Sequence, residues 1–341
     1  MSDFNINNIT SREGQQGTVL AGITTVNSTG AMRVPSGPTD HRGGRGRAVF
    51  GGGQTPTDIN TLNYSTIASA GNASDFGDLV QTGNLIASGV ANSTRGVFAG
   101  GAPAGTISTI QYVTISSQGG ASHFGSLSVA RDGAGGLSDS TRGVIASGKS
   151  TNSPALTGTN VIDYITIATT GDASDFGDIT YTGGYYPMCC ASPTRGIIAG
   201  GRAAHGQDNV IDYITIQSKG NGIKFGELTT HEGGAGCSNS TRGIFAGGYT
   251  HPSIVNIITY ITISTFGNDT DFGDLTAVRR GLAATNSSTR AIFMGGQTPT
   301  VVNTMDYVTI ASTGNAADFG DMTTVAKNIG ACSDVQGGLG E

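Results

Sequence analysis

One pattern is written six times between about residue 45 and the C-terminus, and it limits the fold more than any other feature of the chain. Its consensus reads T-R-G-[VI]-[FI]-A-G-G, a variable stretch, [VI]-x-[DQ]-Y-[VI]-T-I, a Gly-centred turn, then D-F-G-D-L. An Arg opens each copy: Arg47, Arg95, Arg142, Arg195, Arg242 and Arg290. A Tyr follows it after 17, 17, 22, 18, 18 and 17 residues, as Tyr64, Tyr112, Tyr164, Tyr213, Tyr260 and Tyr307. Twelve residues beyond each Tyr stands a Phe: Phe76, Phe124, Phe176, Phe225, Phe272 and Phe319. Short β-type runs with a period near fifty residues indicate propeller blades rather than a helical repeat.

Each copy reads as four strands, A to D. In the fifth copy these are Gly234–Asn239, Arg242–Ala246, Ile257–Ile263 and Thr270–Leu275. Strand C alternates Ile, Tyr and Ile against Thr, the period of a strand. The C–D link, as at Gly71–Asn72, Gly267–Asn268 and Gly314–Asn315, reads as a tight hairpin, because Gly and Asn tolerate positive φ. The first copy opens directly on its B strand, whereas the last runs past D into Asn328–Ser333, which matches the A segment of the fifth. The C-terminal strand, about 328–335, is therefore expected to complete the first blade and close the ring, which removes free sheet edges. The expected fold is an all-β, six-bladed β-propeller with four-stranded antiparallel blades over residues 42–341, the units starting near 45, 94, 141, 194, 241 and 289. Residues 1–41 lack the repeat and hold one candidate strand, Thr18–Val26. So short a segment cannot build its own core, and reads as an attachment arm that packs on the propeller, on a partner or on copies of itself.

Composition excludes several classes. Charged residues are only 12% of the chain and the net charge is −6, so no basic stripe is present for nucleic acid. No apolar run approaches the roughly 20 residues of a membrane-spanning helix, and the polar N-terminus, Met1 to Asn8, has no apolar signal core. Synthesis and folding in a cytosol are expected. Cys190 and Cys237 share a repeat position, so with Cys189 and Cys332 they read as reduced, core-filling thiols. His41, His123, His205, His231 and His251 fall at unrelated repeat positions without metal-ligand spacing, so neither a metal nor a cofactor is expected.

The B strand ending in Gly-Gly, the Tyr of strand C and the aromatic of strand D together resemble the kelch repeat. Phe replaces the kelch Trp, the Tyr-to-aromatic spacing is longer, and one Gly-Gly is Ser147-Gly148. The wording TRGxFAGG…YITIxSTGNAxDFGDL is similar to repeats in structural proteins of tailed bacteriophages, particularly cyanophages and other marine phages. The segment Gly30 to Arg42 is similar to a G-A-M-x-x-P-x-G-x-T-x-x-R stretch of phage fibre and other virion proteins. The resemblance implies a virion structural protein, a tail, fibre or decoration component made in the host cytoplasm. Its partners would be other virion proteins through the arm and a host-surface glycan or neighbouring virion protein through the propeller. A homo-oligomer is compatible with the arm.

Two readings of the six Arg are open. Each reaches across strand C to the acidic residue after Phe-Gly (Asp78, Asp178, Glu227, Asp274 or Asp321, with Ser126 in the second copy), or together they ring an anion or acidic partner. The Tyr and Phe are expected in blade-to-blade packing, since a single ligand site need not repeat. Antiparallel blades place the near-constant A–B and C–D turns on one face and the variable B–C and D–A loops on the other. Loops on a rigid scaffold carry recognition, and the candidate binding residues on the variable face are Tyr185, Tyr186, Arg202, Tyr249, His251 and Arg279. Carboxylates such as Asp75 and Asp78 recur in nearly every copy, whereas a glycosidase needs one pair with separate roles. No catalytic residue is therefore assigned, although a glycan-cleaving propeller remains the alternative.

Overall fold

The computed structural model describes residues 46–82, 89–103, 105–150, 158–181, 184–203, 206–229 and 232–336. They form six four-stranded antiparallel sheets, each in the spatial order A–B–C–D. In the first blade A is Gly330–Ser333, B is Arg47–Gly51, C is Thr61–Thr66 and D is Ser74–Asp78. The last strand of the chain thus pairs with the first, Cys332 opposite Val49 and Ala331 opposite Phe50. The remaining inner strands are Gly89–Ala91, Gly135–Ser138, Met188–Ala191, Ala235–Ser238 and Ala283–Asn286. Each packs on its neighbours around the axis, so the six blades close into a ring. The segment 1–41 with Thr18–Val26, the histidines His41, His205 and His231, and the middle of the third-blade loop (151–157) lie outside the described residues.

The apolar clusters lie between blades. One joins Val49, Leu62 and Phe76 of blade 1 to Phe98, Val113 and Ile115 of blade 2. Phe50, adjacent to Val49 on the same strand, points the other way into the cluster shared with blade 6. Strand B is therefore buried on both faces and reads as a continuous apolar run, while in the outer strand D of the first blade only Phe76 is buried. The four cysteines are buried free thiols. Burial pushes the Cys190 thiol up to about 12, so it stays protonated.

The Gly of T-R-G answers to the neighbouring blade. A Cβ at Gly96 would lie 2.6 Å from the Cys332 sulfur, and one at Gly243 would lie 2.7 Å from the Cys190 sulfur. The inner-strand side chain of one blade thus sits on the bare backbone of the next.

The C–D link differs from the expected tight hairpin. It spans residues 67–73 in blade 1, and its Gly and Asn serve the joint with blade 6. The Gly71 N–H donates to the Phe319 carbonyl at 2.6 Å, the Ala73 N–H to the Asp321 carbonyl at 2.8 Å, and Asn72 Oδ1 accepts from the Asp321 N–H at 3.0 Å. The backbone pair recurs between blades 1 and 2, from Gly119 to Phe76 and from Ala121 to Asp78. A β-bulge in each C–D pair makes room for the Phe, and Phe76 faces Tyr64 edge-on with ring centroids 6.1 Å apart.

Candidate functional site

On the face of the A–B and C–D turns, the six Arg do not pair with the carboxylates after Phe-Gly. Each guanidinium lies over the Tyr of its own strand C, from 4.2 Å at Arg95–Tyr112 to 4.9 Å at Arg47–Tyr64. Its Nη1 donates to a carbonyl at the end of strand C in the next blade: Arg47 to Ile115, Arg95 to Ile167, Arg142 to Ile216, Arg195 to Ile263, Arg242 to Ile310 and Arg290 to Ile67. These bonds measure 2.7–3.1 Å. The Tyr ring occupies the path toward strand D, and the neighbouring blade offers an acceptor closer than a carboxylate two strands away. The Arg are inter-blade pins, each committed to a ring face and a carbonyl, so this face presents no open ring of cations.

The opposite face is built by a different local rule. In five of the D–A links a residue forms a single antiparallel bridge to a residue just after strand B: Lys327 with Gln54, Asp132 with Lys149, Tyr185 with Arg202, Glu232 with Tyr249 and Arg280 with Gln297. The next residue turns into the left-handed region so that the chain can enter strand A. That position is held by Gly133, Tyr186, Gly233, Gly281 and Asn328, with φ between 58° and 66°. Gly and Asn tolerate this conformation, whereas a Tyr is strained there by about 1–3 kcal/mol. Backbone bonds join these turns laterally, from Tyr186 to Gly133, from Gly281 to Gly233 and from Asn328 to Gly281. Between Tyr186 and Gly233 the described backbone supplies no such bond.

A cavity of about 180 Å³ opens over that gap and extends across the inner ends of blades 5, 6 and 1. Tyr186, Glu232, Tyr249, Arg280, Gln297 and Lys327 are among the residues that line it. The Arg280 guanidinium lies 5.6 Å from the Tyr249 ring centroid, and Lys327 Nζ donates to Gln297 Oε1 at 3.0 Å. Glu232 is 6% exposed. One carboxylate oxygen accepts from Arg202 at 3.4 Å, while the buried Oε2 has no hydrogen-bond partner among the described residues. Burial raises the Glu232 carboxyl above its ordinary value, opposed by the charges of Arg202 and Arg280. Burial likewise pushes the Tyr186 hydroxyl up to about 12.

Of the residues singled out in the sequence, Tyr186 and Tyr249 line the cavity. Tyr185 and Arg202 form the adjacent bridge, and Tyr185 is only 5% exposed, so its ring supports Tyr186 (4.7 Å between centroids) rather than facing solvent. His251 Nδ1 stands 3.4 Å from the Tyr249 hydroxyl, beside the cavity. Arg279 requires correction. It is fully buried and bound to Asp306 at 2.5 Å, with further bonds to the Gly295 and Thr304 carbonyls. The extended chain alternates sides at this point, so its neighbour Arg280 is the residue presented to the cavity. Glu232, Gln297 and Lys327 are not among the candidate binding residues read from the sequence. Aligning the copies on the left-handed position would have found them, since each bridging residue is one place before it or opposite it.

The buried Arg279–Asp306 pair has a counterpart in Arg131–Asp163, and both are inter-blade contacts. The equivalent residue before Tyr is Asn63, Gln111, Asp212 or Thr259 in the other blades. Among the described residues no helix is long and apolar enough to cross a membrane. Comparison with protein-family models and with curated proteins gives no match.

Proposed function

We propose that this propeller is a non-enzymatic recognition module of a tailed-bacteriophage particle, a kelch-like disc that the N-terminal segment attaches to other virion proteins. The observation that carries the recognition reading is the inequality of the faces. One face repeats the same Arg–Tyr–carbonyl pin around the ring, whereas the other gathers aromatic, cationic and acidic side chains from several blades around one cavity. Repetition serves the ring, and a concave cluster of unlike groups serves a ligand. The phage assignment rests on the wording of the repeats and on the Gly30–Arg42 segment. A host-surface glycan suits the cavity, because sugars combine flat apolar faces with hydroxyl groups and Tyr rings match both.

A glycan-cleaving reading is less well supported. It needs two carboxylates about 5–9.5 Å apart, and Glu232 is the one carboxylate among the described lining residues. Labelling purified particles with an antibody to the full chain tests the virion assignment, and its absence from intact particles would overturn it. Binding of the full chain to host cells tests recognition. Removal of surface polysaccharide, or Tyr249→Ala in the chain, is expected to abolish it, and unchanged binding after both would rule out this face.

A further inference from the structure

Resting on the glycan-recognition reading, we propose that the cavity between Tyr186 and Lys327 takes one carboxylate-bearing sugar residue of a longer saccharide. Its volume of about 180 Å³ is below the roughly 300–1,000 Å³ of pockets for drug-sized ligands. A single ring of a chain, rather than a whole oligosaccharide, is the matching load.

Charge selects an anion. The chain carries a net −6, yet Arg280 and Lys327 line this cavity, and the one carboxylate among the described lining residues is that of Glu232, which Arg202 already engages. Among the described residues Arg280 has no carboxylate within ion-pairing distance, and its exposed guanidinium retains its donors for a planar acceptor. A carboxylate matches that fork.

Glu232 supplies the complementary demand. Its buried Oε2 lacks a donor among the described residues, and a buried acceptor left unpaired forfeits the hydration it had in water. A sugar hydroxyl satisfies it, which a simple inorganic anion cannot do at neutral pH without adding like charge. The strained Tyr186 adds an independent sign of use. Three other blades place Gly at this turn, so the aromatic side chain is retained against its backbone preference where it lines the cavity.

The test uses the full chain and a panel of galacturonate, glucuronate and mannuronate oligosaccharides, each beside its carboxyl-reduced, uncharged form, with titration calorimetry as the readout. Binding to at least one uronate, at least tenfold tighter than to its reduced form, is expected. Arg280→Ala should weaken it at least tenfold and Glu232→Gln severalfold, with melting temperatures unchanged for the exposed Arg280 variant. Tyr186→Gly should bind more weakly while melting no lower than the wild type, which separates a ligand contact from a structural one. Equal binding of charged and reduced forms would overturn the acidic-sugar assignment and leave glycan recognition standing. Binding to neither form would overturn both. Displacement of the uronate by inorganic phosphate at equal concentration would reduce the site to a general anion site and overturn the saccharide assignment.

Discussion

Asp306→Asn and Asp212→Asn change the same repeat position by the same atom, yet the structure assigns them opposite outcomes. Both aspartates are fully buried, and both accept from the N–H and hydroxyl of a Thr in the preceding blade, Thr276 or Thr180. Asp306 also faces the buried guanidinium of Arg279, whereas Asp212 has no such partner among the described residues. Removing one member of a buried pair costs about 3–5 kcal/mol, because the other charge is left in the interior. Arg279 keeps its bonds to the Gly295 and Thr304 carbonyls, which places the expected cost of Asp306→Asn at the lower end, about 3 kcal/mol. At about 2–4 °C per kcal/mol for a large domain, the melting temperature should fall by about 6–12 °C.

Asp212→Asn should be neutral or stabilising at pH 7. Blade 1 already uses Asn63 there, with its oxygen accepting from Thr323 N–H and Oγ1. Burial raises the Asp212 carboxyl above its ordinary value. A raised folded-state pKa means that the folded form binds the proton more tightly, so the associated stability is present below the unfolded value and lost as pH rises through the folded one. The advantage of Asp212→Asn over the wild type should therefore be largest at neutral pH and shrink as pH falls through the raised folded-state value of the wild-type carboxyl. Thermal unfolding followed by circular dichroism across that range measures both variants. Equal shifts for the two at pH 7 would refute the claim that Arg279 decides the outcome.

Three further outcomes follow from the joints. Gly226→Ala should disrupt the contact between blades 4 and 5, since the added Cβ would lie 2.0 Å from the Gly267 carbonyl oxygen and backbone cannot give way as a side chain can; a destabilisation below about 1 kcal/mol in urea unfolding would contradict this. Arg142→Lys should lose much of what Arg142→Ala loses, about 1–2 kcal/mol, because a point charge cannot both cover Tyr164 and reach the Ile216 carbonyl as the planar fork does; full rescue by Lys in the same unfolding assay would refute the pin. Truncation after Asn328 removes the inner strand of blade 1 and should abolish cooperative unfolding, whereas a cooperative transition near the wild-type temperature would show that ring closure is dispensable.

The architecture was legible because its cause is periodic. Tyr64 and its five equivalents, with a Phe twelve residues on, mark a joint that must be remade at every blade, so one chain supplies six readings of the same constraint. The A segment could be recognised in Gly330–Ser333 for the same reason. What the repeat hid was direction across the joint. Arg47 and Asp78 are neighbours in the pattern of one copy, yet the acceptor of Arg47 is Ile115 in the next. Asn72 has the composition of a turn residue and acts as an inter-blade acceptor. A motif written within one unit does not say whether its partner lies in that unit or the following one. The candidate site was harder still to read, because Arg279 and Arg280 are adjacent and chemically identical, and only strand alternation sends one into the core and the other to the cavity.

The division of labour between the faces follows from where the joints sit. The Arg pins and the C–D docking bonds draw on repeated groups of the A–B and C–D side. On the other side the link into the inner strand depends on backbone bridges and on one left-handed residue. Backbone bridges are indifferent to side-chain identity, so Gln54, Lys149, Arg202, Tyr249 and Gln297 occupy equivalent places without disturbing the ring. The left-handed position is the exception, and it is where Tyr186 departs from Gly. Restoring Gly there removes about 1–3 kcal/mol of strain, partly offset by about 0.4–1 kcal/mol from the freer unfolded chain. Tyr186→Gly should thus melt at or above the wild-type temperature, and a clear loss of stability would show that Tyr186 is held by packing against Gly133 and Tyr185 rather than kept for a ligand.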